Sequence, residues 1–134
     1  MAVKVVDASA LTALLFGEPE AGIVAHRLDN AELVAPALLE FEIASVYLKK
    51  LRGNRQQREV LLAAFAIFMR MPIEVVAVDL ADALGLAEAH GLTSYDAAYL
   101  WLAQSLDAEL VTLDKRLQIA GSTRHQGGVI SAAD

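Results

Sequence analysis

Four acidic residues interrupt apolar stretches of this chain. Asp7 follows Val3-Lys4-Val5-Val6, and Asp114 follows Glu109-Leu110-Val111-Thr112-Leu113. Glu42 lies in Pro36-Ala37-Leu38-Leu39-Glu40-Phe41-Glu42-Ile43-Ala44-Ser45, and Asp96 in Thr93-Ser94-Tyr95-Asp96-Ala97-Ala98-Tyr99-Leu100. If they converge, their carboxylates repel one another unless protons or a cation intervene. A hard divalent ion relieves that repulsion, and an all-oxygen donor set suits Mg²⁺ or Mn²⁺. The chemistry implied is hydrolysis of a phosphodiester, in which a metal-activated water attacks and the ion offsets charge on the phosphoryl transition state. Ser9 and Thr112 flank the same strand ends and are placed to orient water or a phosphate oxygen.

Each acid also has a plainer reading. Asp7 and Asp114 precede predicted helices, where Asp is a favoured N-cap. Asp96 falls in a first helical turn that Thr93 or Ser94 can cap, and the helix dipole favours an acid there. It nevertheless heads an apolar row with Tyr99, Leu100 and Ala103, where an unpaired charge is costly. On a helical wheel Glu42 shares one stripe with Ser45, Lys49 and Arg52, acid at one end and base at the other. That stripe reads either as a solvated face or as a metal-facing acid followed by a phosphate-facing pair, Lys49 and Arg52. Glu40, on a different stripe, competes with Glu42. Lys49, Lys50, Arg52, Arg55 and Arg58 hold nearly half of the 11 Lys and Arg residues, a cluster compatible with nucleic acid or with an acidic partner.

The elements that would position these residues alternate along the chain. Val3–Val6, a weaker Leu33–Ala35, Glu74–Val78 and Glu109–Leu113 read as strands, with a last short one near Val129-Ile130. Between them Ala8–Phe16, Glu20–Leu28, Ala37–Arg52, Gln57–Met69, Leu80–Ala89 and Tyr95–Leu106 read as helices. Gly17-Glu18-Pro19, Arg52-Gly53-Asn54 and His90-Gly91-Leu92 punctuate them, and Pro36 stands where a helix can begin. Strands apolar throughout, alternating with helices, predict a parallel sheet covered on both faces. In such sheets ligands bind beyond the carboxyl ends of strands, where Asp7 and Asp114 fall.

A chain of 134 residues with 56% hydrophobic and 21% charged residues is expected to form one domain, residues 1–134, around a single core. No repeat or compositional shift divides it. With no Cys, and with His26, His90 and His125 scattered, disulfides, thiolate zinc sites and a cysteine nucleophile are excluded. The first residues do not resemble a secretion signal and no apolar run is long enough to span a membrane, so a cytoplasmic protein is expected. The formal net charge of −6 opposes nonspecific attraction to nucleic acid, so any such binding must be local or metal-assisted. No glycine-rich phosphate loop, GxSxG elbow or paired-histidine helix occurs. An aspartyl-phosphate phosphohydrolase would also place Asp after its first strand, but it wants a second Asp two residues later, where Ser9 stands.

Taken in order, Val5-Val6-Asp7-Ala8-Ser9-Ala10-Leu11, Pro36 with Glu42-Ile43-Ala44-Ser45, Thr93-Ser94-Tyr95-Asp96-Ala97-Ala98-Tyr99 and Val111-Thr112-Leu113-Asp114-Lys115-Arg116-Leu117 resemble the PIN-domain ribonucleases. Within that family the chain most resembles the VapC toxins of bacterial and archaeal toxin–antitoxin pairs, from about Val3 to about Val129. The resemblance implies a three-layer α/β/α fold with a parallel sheet of about five strands. It makes Asp7, Glu42, Asp96 and Asp114 the acidic quartet that holds Mg²⁺ or Mn²⁺, Asp7 and Asp96 foremost and Asp114 more loosely. It selects Glu42 over Glu40, and it sets Ser45 where related sequences commonly carry Asn. It also implies an RNA substrate, a homodimer and inhibition by a VapB-like antitoxin. The alternative is a noncatalytic PIN-fold module that binds RNA or protein.

Overall fold

Short valine-rich segments with branched side chains form strands here because both of their faces are covered. The computed structural model describes residues 1–122. β1 (Ala2–Val6) leads through α1 (Ala8–Leu15) and α2 (Ala21–Leu28) to β2 (Ala31–Ala35). α3 (Leu38–Gly53), a 3₁₀ turn (Arg55–Gln57) and α4 (Arg58–Arg70) precede β3 (Ile73–Val75). α5 (Leu80–His90), α6 (Ser94–Leu106) and β4 (Glu109–Val111) follow, and a last helix, α7, covers 115–122. All pairings are parallel, in the order β3-β2-β1-β4. Helices on both faces complete a three-layer α/β/α fold.

The core is continuous. Val5, Val6, Val34 and Val111 of the sheet meet Leu11 of α1, Leu39 and Ile43 of α3, and Tyr99, Leu100 and Leu102 of α6. Each such side chain stabilises the fold by roughly 1.5–3 kcal/mol through its removal from water. Helix ends follow local chemistry. Asp79 caps α5 by accepting from the Asp82 amide at 2.9 Å, and Gly91 ends it in the left-handed region at φ 64°, a conformation with no side-chain penalty for glycine.

Four strands form the sheet among the described residues, rather than about five; the strand expected near Val129-Ile130 lies outside them. Two others are shorter than their sequence suggests. β3 begins at Ile73 and ends at Val75 instead of running to Val78. The Val76 amide still donates to the Ala35 carbonyl at 2.9 Å, but β2 stops there, before Pro36. β4 ends at Val111 instead of Leu113 because the next amides turn to side chains: Leu113 donates to Ser9 Oγ at 2.9 Å and Asp114 to Thr112 Oγ1 at 3.0 Å.

The order β3-β2-β1-β4 means that the chain winds outward from β1 to β3 and then returns to the other side of β1. Connections leaving the carboxyl ends of β1 and β4 therefore diverge, and a crevice opens between them.

Candidate active site

Asp7 is the first residue after β1 and sits in that crevice with 4% of its surface exposed. Its backbone is extended and its side chain caps α1, Oδ1 accepting from the Ala10 amide at 3.0 Å. The same oxygen accepts from Ser9 Oγ at 2.8 Å, and Oδ2 accepts from Thr112 Oγ1 at 2.5 Å. The two hydroxyls expected to orient water or phosphate thus spend their protons on Asp7. Burial raises the Asp7 carboxyl above the usual range; the bonds from Thr112, Ala10 and Ser9 oppose that, and the charge of Asp96 adds to it.

Glu42 lies half-buried on α3. Its Oε1 accepts a 2.6 Å hydrogen bond from the hydroxyl of Tyr99, a buried residue of α6. Burial raises the Glu42 carboxyl, the Tyr99 bond lowers it, and the charges of Asp96 and Asp7 raise it further. Tyr99 is held far above its own ordinary range by burial first and then by Glu42. Tyr99 belongs to the motif around Asp96, but nothing in the sequence marked it as the partner of Glu42: a tyrosine at helical spacing among alanines and leucines reads as core. Glu40 borders a separate small recess with Leu39, Phe68, Met71 and Ile73.

Asp96 stands in the first turn of α6, whose N-cap, Thr93, accepts from the Asp96 amide at 3.1 Å. Partial burial raises its carboxyl, as does the charge of Asp114; Thr93 and Arg116 act the other way. Asp114 caps α7, its Oδ1 accepting from the Leu117 amide at 2.9 Å. The charge of Asp96 therefore reaches Asp7 and Glu42, that of Asp7 reaches Glu42, and Asp114 enters through Asp96. Capping and clustering coexist.

The donors are oxygen throughout, which fits a hard divalent cation and not a soft one. As they lie, no three His, Cys, Asp or Glu side chains among the described residues stand close enough to hold one ion. Charges of one sign in a half-dry rim gain by standing apart. Asp7 Oδ2 carries a single hydrogen bond and keeps lone-pair capacity.

An open cleft of about 780 Å³ is lined by Glu42, alone of the four acids, together with Ser9, Ser45, Phe41, Tyr95 and Leu113. A second cleft, about 770 Å³, runs along β4 and α7 and carries none of the four acids. Lys49 and Arg52 are exposed toward the far end of α3, outside the lining of the acidic cleft. Lys50 instead lies 4.5 Å from the centre of the Phe16 ring.

A parallel sheet flanked by helices, with carboxylates gathered at its strand ends, defines the class of α/β protein to which this chain belongs. A family model described as the PIN domain matches residues 4–121, and the chain belongs to that family. Ribonuclease VapC3 of Pyrobaculum aerophilum is 34% identical over 118 residues, 84% of this chain and 90% of that protein. The crystal structure of PAE2754 from the same organism superposes with a TM-score of 0.71 and 28% identity, covering 89% of this chain and 84% of that one. That of Mycobacterium tuberculosis VapC20, described as a sarcin–ricin loop cleaving toxin, gives 0.62 and 17% over 88% of this chain and 95% of that one, a likeness of fold alone.

Proposed function

We propose that this protein is a divalent-metal-dependent endoribonuclease and the toxin of a VapBC-type toxin–antitoxin pair, with Asp7, Glu42, Asp96 and Asp114 as its catalytic centre. The observation that carries the reading is that Asp7, Glu42 and Asp96, far apart in sequence, stand near enough at the strand ends for the charge of Asp96 to raise the carboxyls of both Asp7 and Glu42. Carboxyls perturbed by burial together with one another's charge are more often a reaction centre than a structural device. The name of VapC3, a ribonuclease, agrees with it.

Mg²⁺ or Mn²⁺ held by these oxygens would make water a better nucleophile toward phosphorus and would offset charge on the phosphoryl transition state. The chain's own contribution is positional. Ser9, Thr112 and the Ala10 amide fix Asp7 in one rotamer and leave Oδ2 able to ligate. Tyr99 holds Glu42 by Oε1 and leaves Oε2 clear of that bond. Asp96 and Asp114, each at the start of a helix, complete the donor set. The reading carries with it an RNA substrate, a homodimer, a cytoplasmic setting and a VapB-like antitoxin whose basic residue is drawn to the acidic rim. Lys49 and Arg52 are then contacts for RNA or antitoxin outside the cleft.

Purified protein should cleave RNA with Mg²⁺ or Mn²⁺ and stop on chelation, and Asp7→Asn or Asp96→Asn should abolish cleavage with the circular dichroism spectrum unchanged. Full activity in either variant overturns the assignment. The capping bonds of Asp7 and Asp114 favour one other reading, a noncatalytic module that keeps the acids for the fold. Calorimetric titration separates the two, because the module takes up no Mn²⁺ at millimolar concentration.

A further inference from the structure

The chain has four Phe, three Tyr and one Trp, all within the described residues, and six of these rings are buried or half-buried. The two that stand in water are Phe41, 77% exposed, and Tyr95, 62% exposed. Each immediately precedes an acid of the centre, Glu42 or Asp96, and the two come from different helices, α3 and α6. Both line the cleft that Glu42 lines. A large ring left in water costs apolar hydration that the fold could have avoided, and such residues beside a site mark where a ligand is recognised.

We infer that Phe41 and Tyr95 are stacking platforms for the nucleobases on either side of the scissile phosphate. The inference rests on the ribonuclease reading above. Unpaired RNA is read by splayed bases lying on aromatic rings, and every base has a face that can stack, whereas bases in a duplex are already stacked on their neighbours. The charges agree. Glu18 and Glu20 also line the cleft and repel phosphates from its interior, while an uncharged base pays no such penalty. Phosphates are better served by Lys115 and Arg116, exposed beside Asp114, where the positive charge of Arg116 already reaches Asp96. A basic peptide is the competing occupant, attracted by Glu18 and Glu20. Charge alone, however, gives no reason for a flat ring next to each of two acids.

The test measures binding without cleavage, in an Asp7→Asn background, by anisotropy of a short labelled RNA and of the same strand with abasic riboses. Phe41→Leu and Tyr95→Leu keep exposed apolar bulk and remove the ring; Tyr95→Phe keeps the ring. Each leucine variant should weaken RNA binding about tenfold, Tyr95→Phe should bind like the parent, and all should bind the abasic strand alike. RNA affinity unchanged in both leucine variants, or an equal loss toward the abasic strand, overturns the inference. So does retention of RNA affinity with loss of affinity for a basic helical peptide, which reassigns the cleft to a protein. A chain that cuts RNA but is indifferent to both rings loses only the stacking. A parent that binds no RNA loses the ribonuclease reading as well.

Discussion

At the scale of single residues, two hydrogen bonds decide how the acidic centre is held. Thr112 reaches Asp7 from the end of β4 and Tyr99 reaches Glu42 from α6, so each acid is fixed by an element other than its own. A carboxylate that accepts a bond from a buried phenol loses rotamer freedom before any ligand arrives, and that pre-ordering is gained when an ion binds. Tyr99→Phe keeps the ring among its core neighbours and frees Glu42. It should weaken Mn²⁺ binding about fivefold, the order expected for one hydrogen bond, with the midpoint of thermal unfolding lowered only slightly. Calorimetry with Mn²⁺ alone checks this, and an unchanged Kd would mean that the bond serves the core and not the site. Glu42 itself was legible in the sequence, through its stripe and its resemblance. Its hydroxyl partner was not, because a buried polar contact between distant helices leaves no periodic trace.

At the scale of elements, the same lesson appears in the strands. β1 is readable because its apolar run ends at Asp7, whereas β2, read as a weaker Leu33–Ala35, begins at Ala31 because Ala31 and Glu32 pair with Ala2 and Val3 of β1. β4 is shorter than its run because Ser9 and Thr112 draw the next amides out of the ladder, and no local pattern announces that. β4 is instead anchored at its start. Glu109 accepts from Arg27 of α2 at 2.6 and 3.1 Å and pairs with Lys4 of β1 at 3.1 Å. Burial raises the Glu109 carboxyl, but Arg27 and Lys4 outweigh it and hold it below the ordinary range. Its contribution is therefore present above the normal Glu pKa and is lost as pH falls through the lowered one. Between α3 and α4 packing has outrun polarity: the Tyr47 ring lies 4.7 Å from Phe16 and 5.0 Å from Phe65, while its buried hydroxyl has no hydrogen-bond partner among the described residues. Tyr47→Phe should keep both ring contacts and stabilise the protein by roughly 1 kcal/mol, seen as a higher thermal midpoint. A lower midpoint would reveal a partner for that hydroxyl.

For the whole molecule, a net charge of −6 and three raised carboxyls at one crevice set function against stability. Asp7, Glu42 and Asp96 hold protons in the folded chain to a higher pH than in the unfolded one. Over that interval the native state binds more protons, so the metal-free fold loses stability as pH rises from about 4 toward neutrality. Asp96→Asn removes one of the repelling charges and leaves in place the cap bond from the residue-96 amide to Thr93 Oγ1. In chelator at pH 7 the variant should therefore unfold at a higher temperature than the parent, and the gap should narrow as pH falls and the parent's raised carboxyls take up protons. Adding Mn²⁺ should reverse the order, because an ion that binds only the native state stabilises the protein that binds it. If the gap at pH 7 is absent, or persists unchanged as acid is added, the carboxylates do not strain one another, and no electrostatic cause remains for them to gather around a cation.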